Sequence, residues 1–182
     1  MRAVQGVDGA DIVIRHATPA DAEVIADISH LAYAEFRHRV RPRFQALSET
    51  PAHIRAEIDS LQSVYGLAIW GGRPVGHVRY QVRDALMMAS RLAVLPPYRR
   101  QGIGRALMEW LEWEARRWEL AKIRGEVRTA FPRLVRFYLG MGYRCVGYVT
   151  VSGVRRCLTV IEKTVRPEEG RGGAGQCPER PS

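Results

Sequence analysis

The sequence predicts an α/β (α+β) fold: a mixed, largely antiparallel central sheet flanked by helices. Two observations carry that prediction. Apolar segments of strand length recur as hairpins, with "GG" between "VYGLAIW" and "VGHVRYQV" and "SG" between "YRCVGYVTV" and "VRRCLTVIEKTV". One helical crossover follows the strand-like run "LMMASRLAVL". No run of ~18 apolar residues exists to span a bilayer, and "MRAVQGVDGADIVIR" lacks the apolar core of a secretory signal. The expected location is therefore cytoplasmic, with no membrane partner.

The 182 residues amount to about one domain. Residues 1–11 read as a loose leader and 12–165 as a single domain. From Arg166 the composition shifts to Gly, Pro and Glu, so 166–182 read as a disordered tail. Ile12 to Arg15 forms a short strand. Thr18 is an N-cap, with Pro19 at the first helical position, and Ile25, Ile28, Leu31 and Ala32 then share one face. Thr50 or Ser48 caps a second helix that begins at Pro51. Val64 to Trp70 and Val75 to Val82 pair about Gly71 and Gly72. Leu86 to Leu95 follows, and Pro96 and Pro97 end it because proline cannot donate to a ladder.

Ile103, Leu107, Trp110, Leu111 and Trp118 recur at helical spacing, with Glu112 and Arg116 placed to pair on the solvent side. Ile123 to Arg128 is a strand. "FPRLVRFYLGMGY" is a short helix closing at Gly140 or Gly142, and the last hairpin follows.

Formal charge is +9, from 26 arginines and two lysines against 19 acids. Arginine's planar fork suits phosphate and carboxylate. Such a balance admits nucleic acid, an acidic substrate or an anionic cofactor, and a GC-rich genome also enriches arginine. The arginines are scattered, aromatics are not interleaved with them, and no helix-turn-helix or RRM signature appears, so nucleic acid is not the expected partner. Three cysteines without a CxxC pair, and five dispersed histidines without HExxH, give no reason to expect a metal. Cys145 and Cys157 read as buried strand cysteines, His77 as a packed or surface histidine.

The stretch "VLPPYRRQGIGRAL" sets polar, side-chain-poor backbone at the mouth of a helix. The first turn of a helix exposes N–H groups without internal partners, and the macrodipole adds positive charge there. Phosphate docks at such a place, and glycine lets it approach. Gly102 and Gly104 are so placed, with Arg99, Arg100 and Arg105 around them. The spacing is neither GxGxxG, since residue 107 is Leu, nor a P-loop. By themselves the two glycines also suit a plain strand-to-helix turn.

The flanks resemble motif A of the GCN5-related N-acetyltransferase superfamily, Arg/Gln-x-x-Gly-x-Gly/Ala, here Arg99-Arg100-Gln101-Gly102-Ile103-Gly104 after Val94-x-Pro96. "GEVRTAFPRLVRFYLGMGY" resembles the family's later motif, with Glu126-Val127-Arg128 leading to Phe137-Tyr138 and Gly142-Tyr143. The resemblance covers about residues 12–164. It implies that loop amides from Arg99 to Arg105 hold the pyrophosphate of acetyl-coenzyme A, and that Leu92, Ala93 and Val94 offer backbone to its pantetheine arm. It implies no metal.

The resemblance further implies direct attack by a primary amine on the thioester in a ternary complex. The amine belongs to a small molecule or a protein N-terminus. Tyr138 is the candidate acid for the leaving thiolate, and otherwise a core aromatic. Glu126 is the candidate base, as in ribosomal-protein N-terminal acetyltransferases with the same Glu-Val-Arg setting. It also reads as a substrate anchor or a solvent-facing charge paired with Arg124 or Arg128. Phe131 and Leu134 depart from the Asn and Ala that members often carry there. "FRHRVRPRF" falls where members place a substrate wall, and also reads as a solvated linker. Members are often homodimers, so the resemblance admits one here. The alternative function is a non-catalytic acyl-CoA-binding or regulatory module on the same fold.

Overall fold

The structure is a computed structural model, which describes residues 2–5, 11–37, 45–151 and 154–165. Most of "FRHRVRPRF" and the expected disordered tail lie outside the described residues. The chain opens with β1 (Arg2–Gln5), antiparallel to β2 (Asp11–His16). The segment expected as a loose leader therefore adds an edge strand. Four residues carry too little alternation for sequence periodicity to reveal it.

Thr18 begins a 3-10 turn over Pro19–Asp21, where its N–H donates to Asp21 Oδ2 at 2.7 Å. That turn runs into α1 (Ala22–Tyr33), and a further turn, Ala34–Phe36, ends it. α2 (Pro51–Asp59) is capped by Thr50, whose Oγ1 accepts the His53 N–H at 3.2 Å. β3 (Val64–Trp70) and β4 (Arg73–Arg83) turn through Gly71 and Gly72, both at positive φ as a two-residue hairpin of this hand requires. β5 (Leu86–Val94), α3 (Ile103–Arg117), β6 (Lys122–Arg128), α4 (Pro132–Leu139), β7 (Arg144–Val151) and β8 (Val154–Thr164) complete the order. The strands make one sheet in the order β1-β2-β3-β4-β5-β6-β8-β7, parallel only between β5 and β6. Among the described residues no helix is long and apolar enough to cross a membrane.

Apolar periodicity decides which face each helix covers. Ile25, Ile28 and Ile54 of α1 and α2 pack with Tyr65 and Leu67 on one face. Leu107, Trp110 and Leu111 of α3 pack with Ile14, Val78, Met87 and Ile123 on the other. Trp110 is wholly buried, and Gly66 leaves it room: a Cβ there would lie 2.4 Å from Trp110 Cζ3. Two side chains depart from expectation. Glu112 lies 3.8 Å from Arg116, yet it is buried because Lys163 Nζ reaches its Oε1 at 2.7 Å. Cys157 is buried, but Cys145 is exposed on the edge strand β7.

His77 on β4 is fully buried under α1, with Nε2 2.8 Å from Ser29 Oγ and Nδ1 unpartnered among the described residues. Burial, helped by the charges of Arg91 and Arg79, lowers its pKa to about 3. The unfolded chain takes a proton here below a pH of about 6.5, and the folded protein does not. Stability therefore falls as pH drops through that window, by up to about 1.4 kcal/mol per unit. Melts between roughly pH 5 and 6.5, above most carboxylate titrations, are expected to show this slope. His77→Gln is expected to flatten it, and equal slopes in the two proteins refute the assignment.

Candidate active site

β5 and β6 pair over only four positions, Leu86–Ala89 against Lys122–Gly125. Both strands then continue, to Val94 and Arg128, without pairing each other. The cause lies in β5. Between the pairs His77↔Ala93 and Arg79↔Ser90, two steps along β4 face three along β5. Arg91 supplies the extra residue at φ +57°, and its Nε is held by Glu49 Oε1 at 2.7 Å. A bulge of this kind bends its strand and increases local twist. The strands splay, and a cleft of about 1620 Å³ opens between them, walled by Tyr33, Phe36, Glu126, Phe131, Phe137 and Tyr138.

The first turn of α3 stands beside this cleft. Its N-cap is Gly102, at φ +86°, a conformation that favours glycine. The first internal bond runs from Ala106 N–H to Gly102 O, so the amides of Gly102, Ile103, Gly104 and Arg105 have no partner within the helix. Gly102 has no side chain with which to cap them. A Cβ on Gly104 would meet Phe137 Cζ at 3.7 Å, which puts this turn against the ring that walls the cleft.

The arginines differ in what they do. Arg100 is exposed and lines the cleft. Arg105 lies 4.0 Å from Glu109 on the outer face of α3. Arg99 is engaged internally: it pairs with Glu35, donates to Val94 O at 3.1 Å, and donates to Ala32 O at 2.8 Å. Gln101 is half-buried, and Ile103 packs into the core. Leu92, Ala93 and Val94 all line the cleft. Leu95 N–H bonds to Val75 O, so ladder alternation turns the Ala93 backbone to His77 and the Val94 backbone away from β4.

Glu126 is the first β6 residue beyond the last pair with β5, and it is exposed to the cleft. Tyr138, on α4, is only 7% exposed. Its ring meets those of Phe137 and Tyr143 edge-on at 5.1 and 5.8 Å. Burial, and then the nearby Tyr33 phenol, push its pKa well above the ordinary tyrosine range, which keeps the proton on. Under the α1–α2 side, Arg79 Nη1 donates to Glu57 at 2.8 Å while Tyr65 OH donates to the same carboxylate at 2.6 Å. Burial opposes that charge, yet Tyr65 and Arg79 hold Glu57 below the usual carboxylate range.

Several site features are not evident in the sequence motifs. Tyr33 OH donates to Leu92 O at 2.9 Å. Tyr33 follows Ile25 and Ser29 at helical spacing, so its place on the buried stripe was readable, but its partner was not. Phe131 meets Phe36 at 4.9 Å between centroids, and Arg99 lies 6.0 Å over the Phe36 ring. These contacts tie the end of α1 to the start of α4 along the cleft wall, and give the Phe131 departure a packing role. The bulge at Arg91 left no sequence mark, since no glycine stands there.

A sheet split along one strand pair, with the glycine-capped start of a helix beside the split, defines the acyl-CoA N-acyltransferase class. Solved structures share this fold. A PaiA N-acetyltransferase from Thermoplasma acidophilum, in complex with coenzyme A, superposes with TM-score 0.71 at 17% identity, covering 84% of this chain and 98% of that one. The ribosomal-protein-S18-alanine N-acetyltransferase from Escherichia coli gives TM-score 0.66 at 18% identity, covering 90% and 99%. An N-acetyltransferase from Staphylococcus aureus gives 0.69 at 16%, covering 85% and 99%. No significant match is found among curated protein sequences. The model of the acetyltransferase (GNAT) family matches residues 26–143, and the chain belongs to that family.

Membership makes the chain an acyltransferase with acetyl-coenzyme A as cosubstrate. The residues fit that group. A diphosphate bridge needs several convergent N–H donors and no intruding side chain, and the α3 terminus has four amides without a partner in the helix, with glycines at 102 and 104.

Proposed function

We propose that the protein transfers an acetyl group to a primary amine by direct attack within one ternary complex. The observation that carries this reading is the splay itself. It sets the open edge of β5, the exposed Glu126 on β6 and the buried Tyr138 on α4 around one cleft.

Bound acetyl-CoA supplies the activated acyl carbonyl. The α3 amides and Arg100 hold its diphosphate, and β5 backbone near Val94 donates to the carbonyl oxygen without reorganisation. Glu126 takes the proton that the amine must lose, directly or through water. Tyr138, kept protonated, gives a proton to the departing sulfur. Holding both reactants in one cleft supplies much of the acceleration. The acceptor is a small-molecule amine or a protein N-terminus. The structural likeness to an enzyme described as acting on ribosomal protein S18 alanine supports the second option. A cytoplasmic setting belongs to the same reading.

The experiment is release of free coenzyme A from acetyl-CoA across a panel of amines and N-terminal peptides. Turnover is expected for at least one class. Glu126→Gln is expected to lower kcat by roughly 100-fold, within the usual range for general-base loss, with acetyl-CoA affinity unchanged. Binding without turnover on any acceptor favours the non-catalytic module and refutes the reading.

A further inference from the structure

Beyond Ala89 the outer edge of β5 has no strand partner among the described residues, and its backbone groups face the cleft. Val94 points to that edge, as the Leu95–Val75 bond requires, and Leu92, two residues back along the extended strand, shares its side. An unpaired edge normally alternates donors and acceptors. Here the carbonyls of Leu92 and Val94 each already accept one bond from the protein's own side chains. Tyr33 OH donates to Leu92 O at 2.9 Å, and Arg99 Nε donates to Val94 O at 3.1 Å. We infer that Tyr33 and Arg99 are positioning residues, whose hydrogen bonds to the Leu92 and Val94 carbonyls bias the open β5 edge toward donation at the acyl carbonyl.

The physical consequence is electrostatic. A bare carbonyl beside the reacting centre would set partial negative charge where negative charge develops on the acyl oxygen. A donor on each carbonyl offsets part of that opposing charge, and the Leu92 and Val94 N–H groups remain to act. The tie is durable. Burial pushes the Tyr33 phenol up to about 12, so it stays a donor through the working pH range. Arg99 is itself anchored to Ala32 O and Glu35, so the same two side chains rivet the end of α1 to the bulged strand. Neither contributes a group to the substrate: they act through backbone. This inference rests on the acetyl-transfer reading above.

The test uses the full chain, with Tyr33→Phe and Arg99→Gln. Tyr33→Phe keeps the ring and deletes only the hydroxyl. Acetyl-CoA affinity by calorimetry is expected to change less than threefold in Tyr33→Phe, while kcat falls roughly tenfold or more, below the loss for deleting an oxyanion donor itself. Isotope-edited infrared spectra of bound [1-13C]acetyl-CoA are expected to place the thioester carbonyl stretch at higher frequency in Tyr33→Phe than in the native protein. A packing role would lower the melting temperature without moving that band. An unmoved band with unchanged kcat in a folded Tyr33→Phe overturns the inference while native turnover leaves the acetyl-transfer reading standing. Should Tyr33→Phe not fold, the same band in Arg99→Gln decides. Failure of native protein to bind acetyl-CoA overturns both.

Discussion

Gly104→Glu is expected to weaken binding of coenzyme A by about 100-fold while leaving the protein folded. The substitution suits the helix. Gly104 follows the N-cap by two positions, its added Cβ meets only Phe137 Cζ at an ordinary 3.7 Å, and glycine is a poor helix former by about 1 kcal/mol. A carboxylate in the first turn also complements the macrodipole. The melting temperature is therefore expected to hold or rise. The diphosphate faces the opposite outcome. A carboxylate about 5 Å from a phosphate at an effective dielectric near 20 costs roughly 3 kcal/mol, or about 100-fold in Kd. Calorimetry with coenzyme A on native and variant protein measures both quantities. Equal affinities would move the diphosphate site away from α3. Gly102 is the less informative position, because at φ +86° any side chain strains the turn.

Tyr138→Phe is expected to lower kcat by 100-fold or more, the scale of losing a general acid, with little change in acetyl-CoA affinity. Phenylalanine keeps the ring between Phe137 and Tyr143, so the core is preserved. Burial and Tyr33 hold the native phenol protonated well above the usual range, so the acid stays available through neutral and mildly alkaline pH. Single-turnover measurements with the best acceptor separate the chemical step from product release. An unchanged chemical rate in folded Tyr138→Phe leaves the tyrosine with a packing role only, and the leaving sulfur must then take its proton from water.

Much of the fold was legible because local signals agreed. Paired glycines at 71 and 72 marked a hairpin that needs positive φ, and Thr18-Pro19 and Thr50-Pro51 marked helix starts. Ile103, Leu107, Trp110 and Leu111 marked the buried stripe of α3. The start of α3 was legible too, because the prolines at 96 and 97 and the glycines at 102 and 104 mark a strand-to-helix turn, and Gly102 makes it as the N-cap at φ +86°. Arg99 shows the limit. Its place in the motif suggests a ligand for phosphate, and its nearest partners are instead Glu35, Ala32 and Val94. Cys145 shows it again, since a strand residue is buried or exposed according to what covers the sheet there.

The sequence by itself determined the order of elements, the antiparallel bias and the glycine-capped start of α3, since each depends on residues within a turn or two of one another. Only the tertiary structure decided where β5 parts from β6, that Arg91 bulges, and that Tyr33 and Phe36 reach Leu92 and Phe131. The physical reason is range. Periodicity and capping are local, whereas a strand's register, and the side chain that closes its unpaired carbonyls, are set by elements distant along the chain.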